Sequence, residues 1–185
     1  MIECIASKMG RTMTRAMLLE MLEAERSRVE SGFLDGVVLD AYVDKLLQHS
    51  EILIRSQGGR CLGVLALYCN NWRSRKAFIS LLVVSPEARG RGIAVDLLNQ
   101  ACRTVRARDF LCLGIEVSPE NRAALACYSR FGFSSCGIRN GLISMEMLML
   151  HDQSVLGSRS GPDLGAQGLG SSGELLQTVA QGVSE

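Results

Sequence analysis

A glycine-rich turn between an apolar strand and a helix is the first feature of this sequence that could bind a ligand. The strand ends at Val84, and the turn Arg89-Gly90-Arg91-Gly92 opens the helix. Glycine lets the backbone come close to a ligand. The first turn of a helix offers unpaired N–H groups at the positive end of its dipole. The turn therefore predicts an anion site suited to a pyrophosphate.

Two common phosphate-binding loops do not fit this turn. The P-loop requires the pattern GxxxxGK followed by Ser or Thr, which the sequence lacks. A dinucleotide-binding fingerprint requires GxGxxG in a first βαβ unit, but here Gly90-x-Gly92 has no third glycine and the preceding strand follows hairpins. Taken alone, the turn could still be an ordinary connection between a strand and a helix.

The elements that must position this turn follow from residue periodicity. Apolar residues at helical spacing predict two early helices, the first capped by Thr14 and ended by Gly32. Hairpin-connected strands follow, and Gln57-Gly58-Gly59 forms one of their turns. Asn121 caps a late helix, and Asn140-Gly141 predicts a final hairpin. The predicted helices span residues 15–31, 39–48, 92–106 and 121–130, and the predicted strands span 1–7, 51–56, 60–69, 77–84, 110–117, 133–139 and 142–150.

Length and composition predict one α/β domain with an appendage. The chain has 185 residues, of which 47% are hydrophobic, and a domain of about 150 residues can bury its own core. After His151 the sequence becomes rich in Gly and Ser and has no aromatic residue. Such a segment cannot bury enough apolar surface to offset its ordering entropy. We therefore expect a folded domain over residues 1–150 and a disordered tail over 151–185.

Charge, hydropathy and cysteine spacing narrow the function classes. A net charge of +1 gives no electrostatic argument for binding to nucleic acid or to an anionic membrane. The sequence has no signal-type apolar region and no apolar run of about 18 residues. Its seven cysteines show no zinc-binding spacing. We expect a cytoplasmic protein with reduced thiols and no metal. Whether the protein forms a homodimer is left open by the sequence.

Two blocks of the sequence resemble the GNAT superfamily of N-acetyltransferases. The stretch 89–94 is similar to the family's acetyl-CoA signature, which is Gln or Arg, two residues, Gly, one residue, then Gly or Ala. The stretch 121–133 is similar to the pattern NxxAxxxYxxxGF. The order of the predicted helices and strands is similar to that of the family over residues 15–150. The similarity of the motifs is specific only over residues 77–133. It implies a GNAT fold, with a mixed, mostly antiparallel sheet flanked by helices. The second block places Asn121, Ala124, Tyr128, Gly132 and Phe133 at the family's pattern positions.

The resemblance implies acetyl-CoA as the cosubstrate, with no metal. In the family, the backbone amides of the loop hold the pyrophosphate, and the edge of the preceding strand pairs with the pantetheine arm. The coenzyme-binding residues expected from this resemblance are Leu82, Val83, Val84, Arg89, Gly90, Arg91, Gly92, Ile93, Ala94 and Asn121.

The resemblance also implies two catalytic residues. Tyr128 matches the general acid that protonates the departing thiolate, a role that suits a phenol with a pKa near 10. Glu116, twelve residues earlier, matches the base of the ribosomal-protein N-terminal acetyltransferases. The structural alternatives are that Tyr128 only packs against the sheet and that Glu116 only faces solvent.

We expect transfer of an acetyl group to a primary amine of a small molecule, such as an amino sugar or an amino acid derivative. The final hairpin is short and lacks the paired tyrosines of the protein N-terminal branch, which is the first alternative. A non-catalytic coenzyme A-binding module and an unrelated nucleotide-binding domain are the others. Trp72 could border the acceptor pocket, and the basic residues Arg73, Arg75 and Lys76 could contact a phosphorylated acceptor or lie in a solvated loop.

Overall fold

The computed structural model describes residues 2–4, 8–28, 34 and 36–149. The predicted tail, residues 151–185, lies outside the described residues. The elements in chain order are β1 Ile2–Cys4, α1 Lys8–Arg28, α2 Leu39–His49, β2 Glu51–Gln57, β3 Arg60–Tyr68, β4 Lys76–Val84, a 3-10 turn Pro86–Ala88, α3 Ile93–Ala107, β5 Cys112–Val117, α4 Arg122–Phe131, β6 Ser134–Arg139 and β7 Leu142–Leu148.

The strands form one sheet in the order β1-β2-β3-β4-β5-β7-β6. Strands β4 and β5 pair in parallel, and the other neighbouring pairs of the described sheet are antiparallel. A parallel pair needs a crossover connection, and α3 supplies it here. The predicted mixed, mostly antiparallel sheet flanked by helices is confirmed.

A separate apolar cluster covers each face of the sheet. On one face α3 and α4 pack against the strands through residues such as Leu97, Leu98 and Tyr128. On the other face α1 and α2 pack through Leu22 and Val43 against β2, β3 and β4. All six residues of β6 are exposed. Among the described residues, α1 and α2 therefore cover only the β2–β4 part of their face.

The prediction for the first helix was wrong at its N-terminal end. The described helix runs over Lys8–Arg28, so Thr14 lies inside it and is not a cap. Thr14 is buried. The preceding residues include Lys, Met and Arg, which are good helix formers, and they extend the helix across Gly10. The predicted stop at Gly32 lies outside the described residues.

Local capping signals place α4 as the sequence predicted. The Asn121 side chain accepts a hydrogen bond from the Ala124 N–H at 3.0 Å, and Gly132 ends the helix at φ 117°. Asn140 and Gly141 both have positive φ, as a type I′ hairpin turn requires. These turns fix the position of α4, which carries Tyr128, relative to the last hairpin.

Candidate active site

A gap opens between β4 and β5 at the centre of the sheet. Their parallel ladder runs from Lys76 opposite Cys112 to Ile79 opposite Ile115 and ends there. Strand β4 continues to Val84, and over this stretch its ladder is with β3. The β5-facing backbone edge of residues 82–84 is therefore open to an extended ligand. This is the edge that the sequence analysis assigned to pantetheine.

A β-bulge at Ser80 marks the point where the gap begins. Leu67 pairs with Ile79 and Ala66 pairs with Leu81, so Ser80 is an extra residue in β4. The side-chain alternation reverses there, since Ile79 packs on the α3 face whereas Leu81 packs on the α1 face. A bulge bends its strand. Sequence reasoning missed Ser80 because the uniformly apolar run hides the strand's register.

A side chain from α2 reaches this bulge. The Tyr42 hydroxyl donates to the Ser80 carbonyl oxygen at 3.4 Å, and burial raises the pKa of Tyr42 above its ordinary value. Tyr42 therefore stays a neutral phenol at the mouth of the gap, on the face opposite α3 and α4. No motif pointed to it, because it lies in an ordinary helical repeat.

Both glycines of the predicted anion loop adopt a left-handed backbone conformation. Gly90 and Gly92 have φ of 69° and 76°, and a Cβ built on either would meet no heavy atom within 4 Å. Gly92 precedes α3 and makes no side-chain cap. The N–H groups of the first turn are thus left for a ligand. On the β3 side, a Cβ at Gly63 would lie 2.8 Å from Ile93 Cγ2, so α3 begins in close contact with the sheet.

The side chain of Arg89, which opens this loop, is held by α1. Its Nη2 lies 2.8 Å from both carboxylate oxygens of Glu25, and its Nε donates to the Val84 carbonyl at 3.2 Å. The side chains of Arg89 and Glu25 are 8% and 2% exposed. The guanidinium therefore connects the end of β4 to α1, and Glu25 is a further residue that motif reasoning missed.

Tyr128 is fully buried on the α3–α4 face. Its ring packs near Phe133, with centroids 5.9 Å apart. Within the part of the chain that the structure describes, the hydroxyl has no hydrogen-bond partner, which is unusual for a buried polar group. Burial raises the pKa of Tyr128 above its ordinary value. The residue therefore offers a neutral O–H donor with no described acceptor.

Glu116 lies on the other face of the sheet. Its neighbours Ile115 and Val117 pack in the α3–α4 cluster, so strand alternation turns Glu116 away from Tyr128. Glu116 is half-buried. The Ser144 hydroxyl, directly opposite on β7, donates to Glu116 Oε1 at 3.3 Å. The carboxylate thus lies beside the end of the β4–β5 ladder, and its oxygens can accept further hydrogen bonds.

Other predicted residues lie away from the gap or have structural partners. Trp72 packs on Phe110, with ring centroids 4.8 Å apart, at the end of β4 opposite the glycine-rich loop. Arg75 donates to the Asp109 carbonyl at 2.7 Å, and Lys76 pairs with Glu146. The Asn121 side chain caps α4.

The cysteines and the possible metal-binding side chains were the remaining candidates for chemistry. Among the described residues, no group of three or more His, Cys, Asp or Glu side chains could hold a metal ion. Burial raises the pKa of Cys61, Cys69 and Cys112 to about 11, so they stay neutral thiols. Cys127, next to Tyr128, packs against the α3–α4 cluster. No described helix is long and apolar enough to cross a membrane.

Comparison with known proteins places this arrangement in a family. The family model described as acetyltransferase (GNAT) matches residues 17–133. A Bacillus subtilis (strain 168) protein, whose proposed activity is ribosomal-protein-bS18-alanine N-acetylation, is 27% identical over 128 residues. That match covers 68% of this chain and 82% of the relative.

Solved structures share the fold. The ribosomal-protein-S18-alanine N-acetyltransferase from Escherichia coli superposes with a TM-score of 0.66 and 16% identity, covering 85% of this chain and 100% of that one. The PaiA N-acetyltransferase from Thermoplasma acidophilum, solved in complex with coenzyme A, gives a TM-score of 0.63 and 16% identity. That match covers 80% of this chain and 99% of that one.

Proposed function

The chain belongs to the GNAT acetyltransferase family, and we propose that it transfers an acetyl group from acetyl-CoA to the primary amine of a small molecule. The observation that carries this proposal is the open gap between β4 and β5. One end of that gap leads to the glycine-rich loop, and a buried tyrosine with no described hydrogen-bond partner lies in the apolar cluster on one face of the sheet. Acetyl-CoA supplies an activated acyl group, whose C–S bond breaks as the amide C–N bond forms.

The loop and the strand edge fit the coenzyme. A Cβ at Gly90 or Gly92 would meet no heavy atom within 4 Å, and the first N–H groups of α3 have no intrahelical partner, which leaves room for a pyrophosphate. The free edge of Leu82, Val83 and Val84 can hydrogen-bond an extended amide chain as a further strand would. We assign coenzyme binding to these backbone groups, with the Arg89 side chain acting through its contact with Glu25.

Tyr128 acts as the general acid in this proposal. The buried phenol is neutral over the physiological range, because its pKa is raised by desolvation. It donates its proton to the departing thiolate. A thiolate released into the same buried site is also desolvated, and its proton affinity rises in parallel. The donor and the acceptor therefore stay matched.

Glu116 acts as the general base. The amine must lose a proton as its nitrogen bonds to the acyl carbon, and Glu116 receives that proton directly or through one water. The Ser144 hydroxyl orients the carboxylate through its hydrogen bond. Glu116 and Tyr128 lie on opposite faces of the sheet. The amine's proton is therefore removed on one face, and a second proton is donated to the thiolate on the other.

The shape of the last hairpin supports a small acceptor. Strands β6 and β7 are joined by Asn140 and Gly141 alone, so the connection between these two strands contributes no long loop over the uncovered part of the sheet. On the described part of this face Glu116 and Glu146 are carboxylates, and Glu146 is paired with Lys76. This face favours amines without an adjacent free carboxylate, such as amino sugars or amidated amino acids.

A protein N-terminus is the second candidate acceptor. The relative from Bacillus subtilis, matched over 82% of its length, favours this alternative through its proposed action on a ribosomal protein. An N-terminal amine carries no adjacent free carboxylate either, so the charges at the site do not separate the two candidates.

A panel of acceptors tests the proposal. Amino sugars, amidated amino acids, simple amines and a peptide that begins with the first residues of ribosomal protein S18 would each be incubated with acetyl-CoA. Mass spectrometry would identify the N-acetyl products, and kcat/KM would rank the acceptors. We expect small amines to exceed the peptide. A higher kcat/KM for the peptide would establish the second candidate, and no product from any amine would refute acetyl transfer.

A further inference from the structure

A buried ion pair joins α1 to the coenzyme loop, and its carboxylate partner lies outside both family-like blocks. Glu25 lies on α1 and places both carboxylate oxygens 2.8 Å from Arg89 Nη2. Arg89 is the first residue of the loop and also holds the Val84 carbonyl at the end of β4. The guanidinium is therefore attached to α1 and to the strand from which the coenzyme loop departs.

Because the ion pair between Glu25 and Arg89 is buried, the loss of either partner should affect the position of the loop. Glu25 is 2% and Arg89 is 8% exposed, and the loss of one partner leaves the other charge buried and uncompensated. By contrast, the ion pair between Arg15 and Asp44 joins α1 to α2 with side chains that are 36% and 58% exposed. Exposed pairs of that kind contribute little.

The direction of Arg89 also restricts what it can do for the coenzyme. The Arg89 Nε and Nη2 contact the Val84 carbonyl and Glu25, so the guanidinium is directed toward the end of β4 and α1. The anion site then depends on backbone N–H groups of residues 90–94, whose positions follow from where the loop begins. An arginine fixed at that point sets the orientation of these groups.

We propose that Glu25 is a positioning residue for acetyl-CoA: by holding Arg89 it fixes the loop at residues 90–94 in the geometry that binds the pyrophosphate. The inference rests on the proposed use of acetyl-CoA. It assigns to α1 a part in coenzyme binding in addition to its packing on the sheet.

A double-mutant cycle tests this assignment by calorimetric titration with coenzyme A alone. The variants are Glu25→Gln, Arg89→Gln and the combination of both, at a temperature where circular dichroism shows each protein folded. The family signature accepts Gln at position 89, so the double variant replaces a buried ion pair with two amides that can bond to each other. The matched control is Asp44→Asn, which weakens the exposed ion pairing of Arg15 on α1 with α2.

Each single variant is expected to weaken coenzyme A binding by about tenfold, as contacting residues in one network do. The double variant is expected to recover most of that loss, and Asp44→Asn to bind as the wild type. In acetyl-transfer assays, Glu25→Gln should raise the KM for acetyl-CoA and leave kcat at saturation nearly unchanged. A purely structural pair would lower the melting temperature without moving these constants.

Two results would overturn the inference. Wild-type affinity in Glu25→Gln would show that the pair does not position the loop. A double variant as weak as Arg89→Gln would show that the arginine itself contacts phosphate. If Glu25→Gln does not fold, the comparison of Arg89→Gln with the double variant still decides, because equal weakness of the two would count against the inference. Failure of the wild type to bind coenzyme A would instead refute the proposed function.

Discussion

Tyr128 and Glu116 lie on opposite faces of the central sheet, and Glu116 directly follows the last paired residue of the β4–β5 ladder. Tyr128 belongs to the α3–α4 cluster together with Ile115 and Val117. Glu116 points the other way and accepts a hydrogen bond from Ser144. An amine that enters from the α1–α2 face would reach the Glu116 carboxylate. The coenzyme's sulfur, if it lay in the gap, would be accessible from the α3–α4 face, which carries Tyr128.

Tyr128→Phe should separate catalysis from stability. Turnover is expected to fall by roughly 10²–10⁴-fold, as for other positioned proton donors, while acetyl-CoA affinity is retained. The free energy of unfolding should be unchanged or higher, because a buried hydroxyl with no described partner is removed. Steady-state kinetics and urea unfolding measure the two effects.

Tyr42→Phe is the matched control for that variant. Its hydroxyl donates to the Ser80 carbonyl, so its loss should cost about 0.5–1.5 kcal/mol of unfolding free energy. Full turnover in Tyr128→Phe would show that Tyr128 is a packing residue and that another group protonates the thiolate.

Glu116→Gln should lower turnover most at low pH. Below the pKa of the acceptor amine a base must remove its proton, whereas above that pKa the amine is already neutral. Part of the loss should therefore be recovered as pH rises. Ser144→Ala is the control, since it removes the hydroxyl next to Glu116 and keeps the carboxylate. A pH-independent loss in Glu116→Gln would argue against a base.

Two buried tyrosines predict how stability depends on alkaline pH. Burial raises the pKa of both Tyr42 and Tyr128 in the folded protein. As pH rises past about 10, the unfolded chain loses these protons first. The free energy of unfolding should thus be insensitive to these groups below about pH 9 and fall above pH 10. Tyr128→Phe should reduce that fall, and an identical alkaline slope in the variant would contradict the assignment.

Gly92→Ala should weaken coenzyme binding beyond its effect on stability. The φ of 76° at Gly92 makes alanine cost roughly 1–2 kcal/mol, and the methyl group would project into the space reserved for the pyrophosphate. Gly58→Ala is the matched control, because its φ of 57° and open surroundings impose similar strain at the β2–β3 turn. Urea unfolding and coenzyme A titration would be compared, and equal affinity in both variants would count against the loop as the anion site.

Local signals in the sequence accounted for much of the fold. The Asn121 cap, the Gly132 stop and the Asn140-Gly141 turn act within a few residues of themselves, so their outcome depends little on the rest of the chain. The glycine-rich turn was predictable for the same reason. The error at α1 arose because Thr14 resembles a cap, although good helix formers precede it.

The features that the sequence did not reveal all depend on distant partners. The bulge at Ser80 appears only when β4 is aligned with β3, and a continuous apolar strand gives no sign of its register. Glu25 reaches Arg89 across 64 positions in the chain, and Tyr42 reaches Ser80 across 38. No spacing rule connects residues that far apart.

Thermal unfolding of the wild-type protein with acetyl-CoA, NAD or ATP tests the central claim most directly. A ligand present at 100 times its dissociation constant stabilises the folded state by about 2.7 kcal/mol, which is readily visible in a melting curve. We predict that acetyl-CoA raises the melting temperature and that NAD and ATP do not. A rise with NAD or ATP, together with no response to acetyl-CoA, would contradict the account.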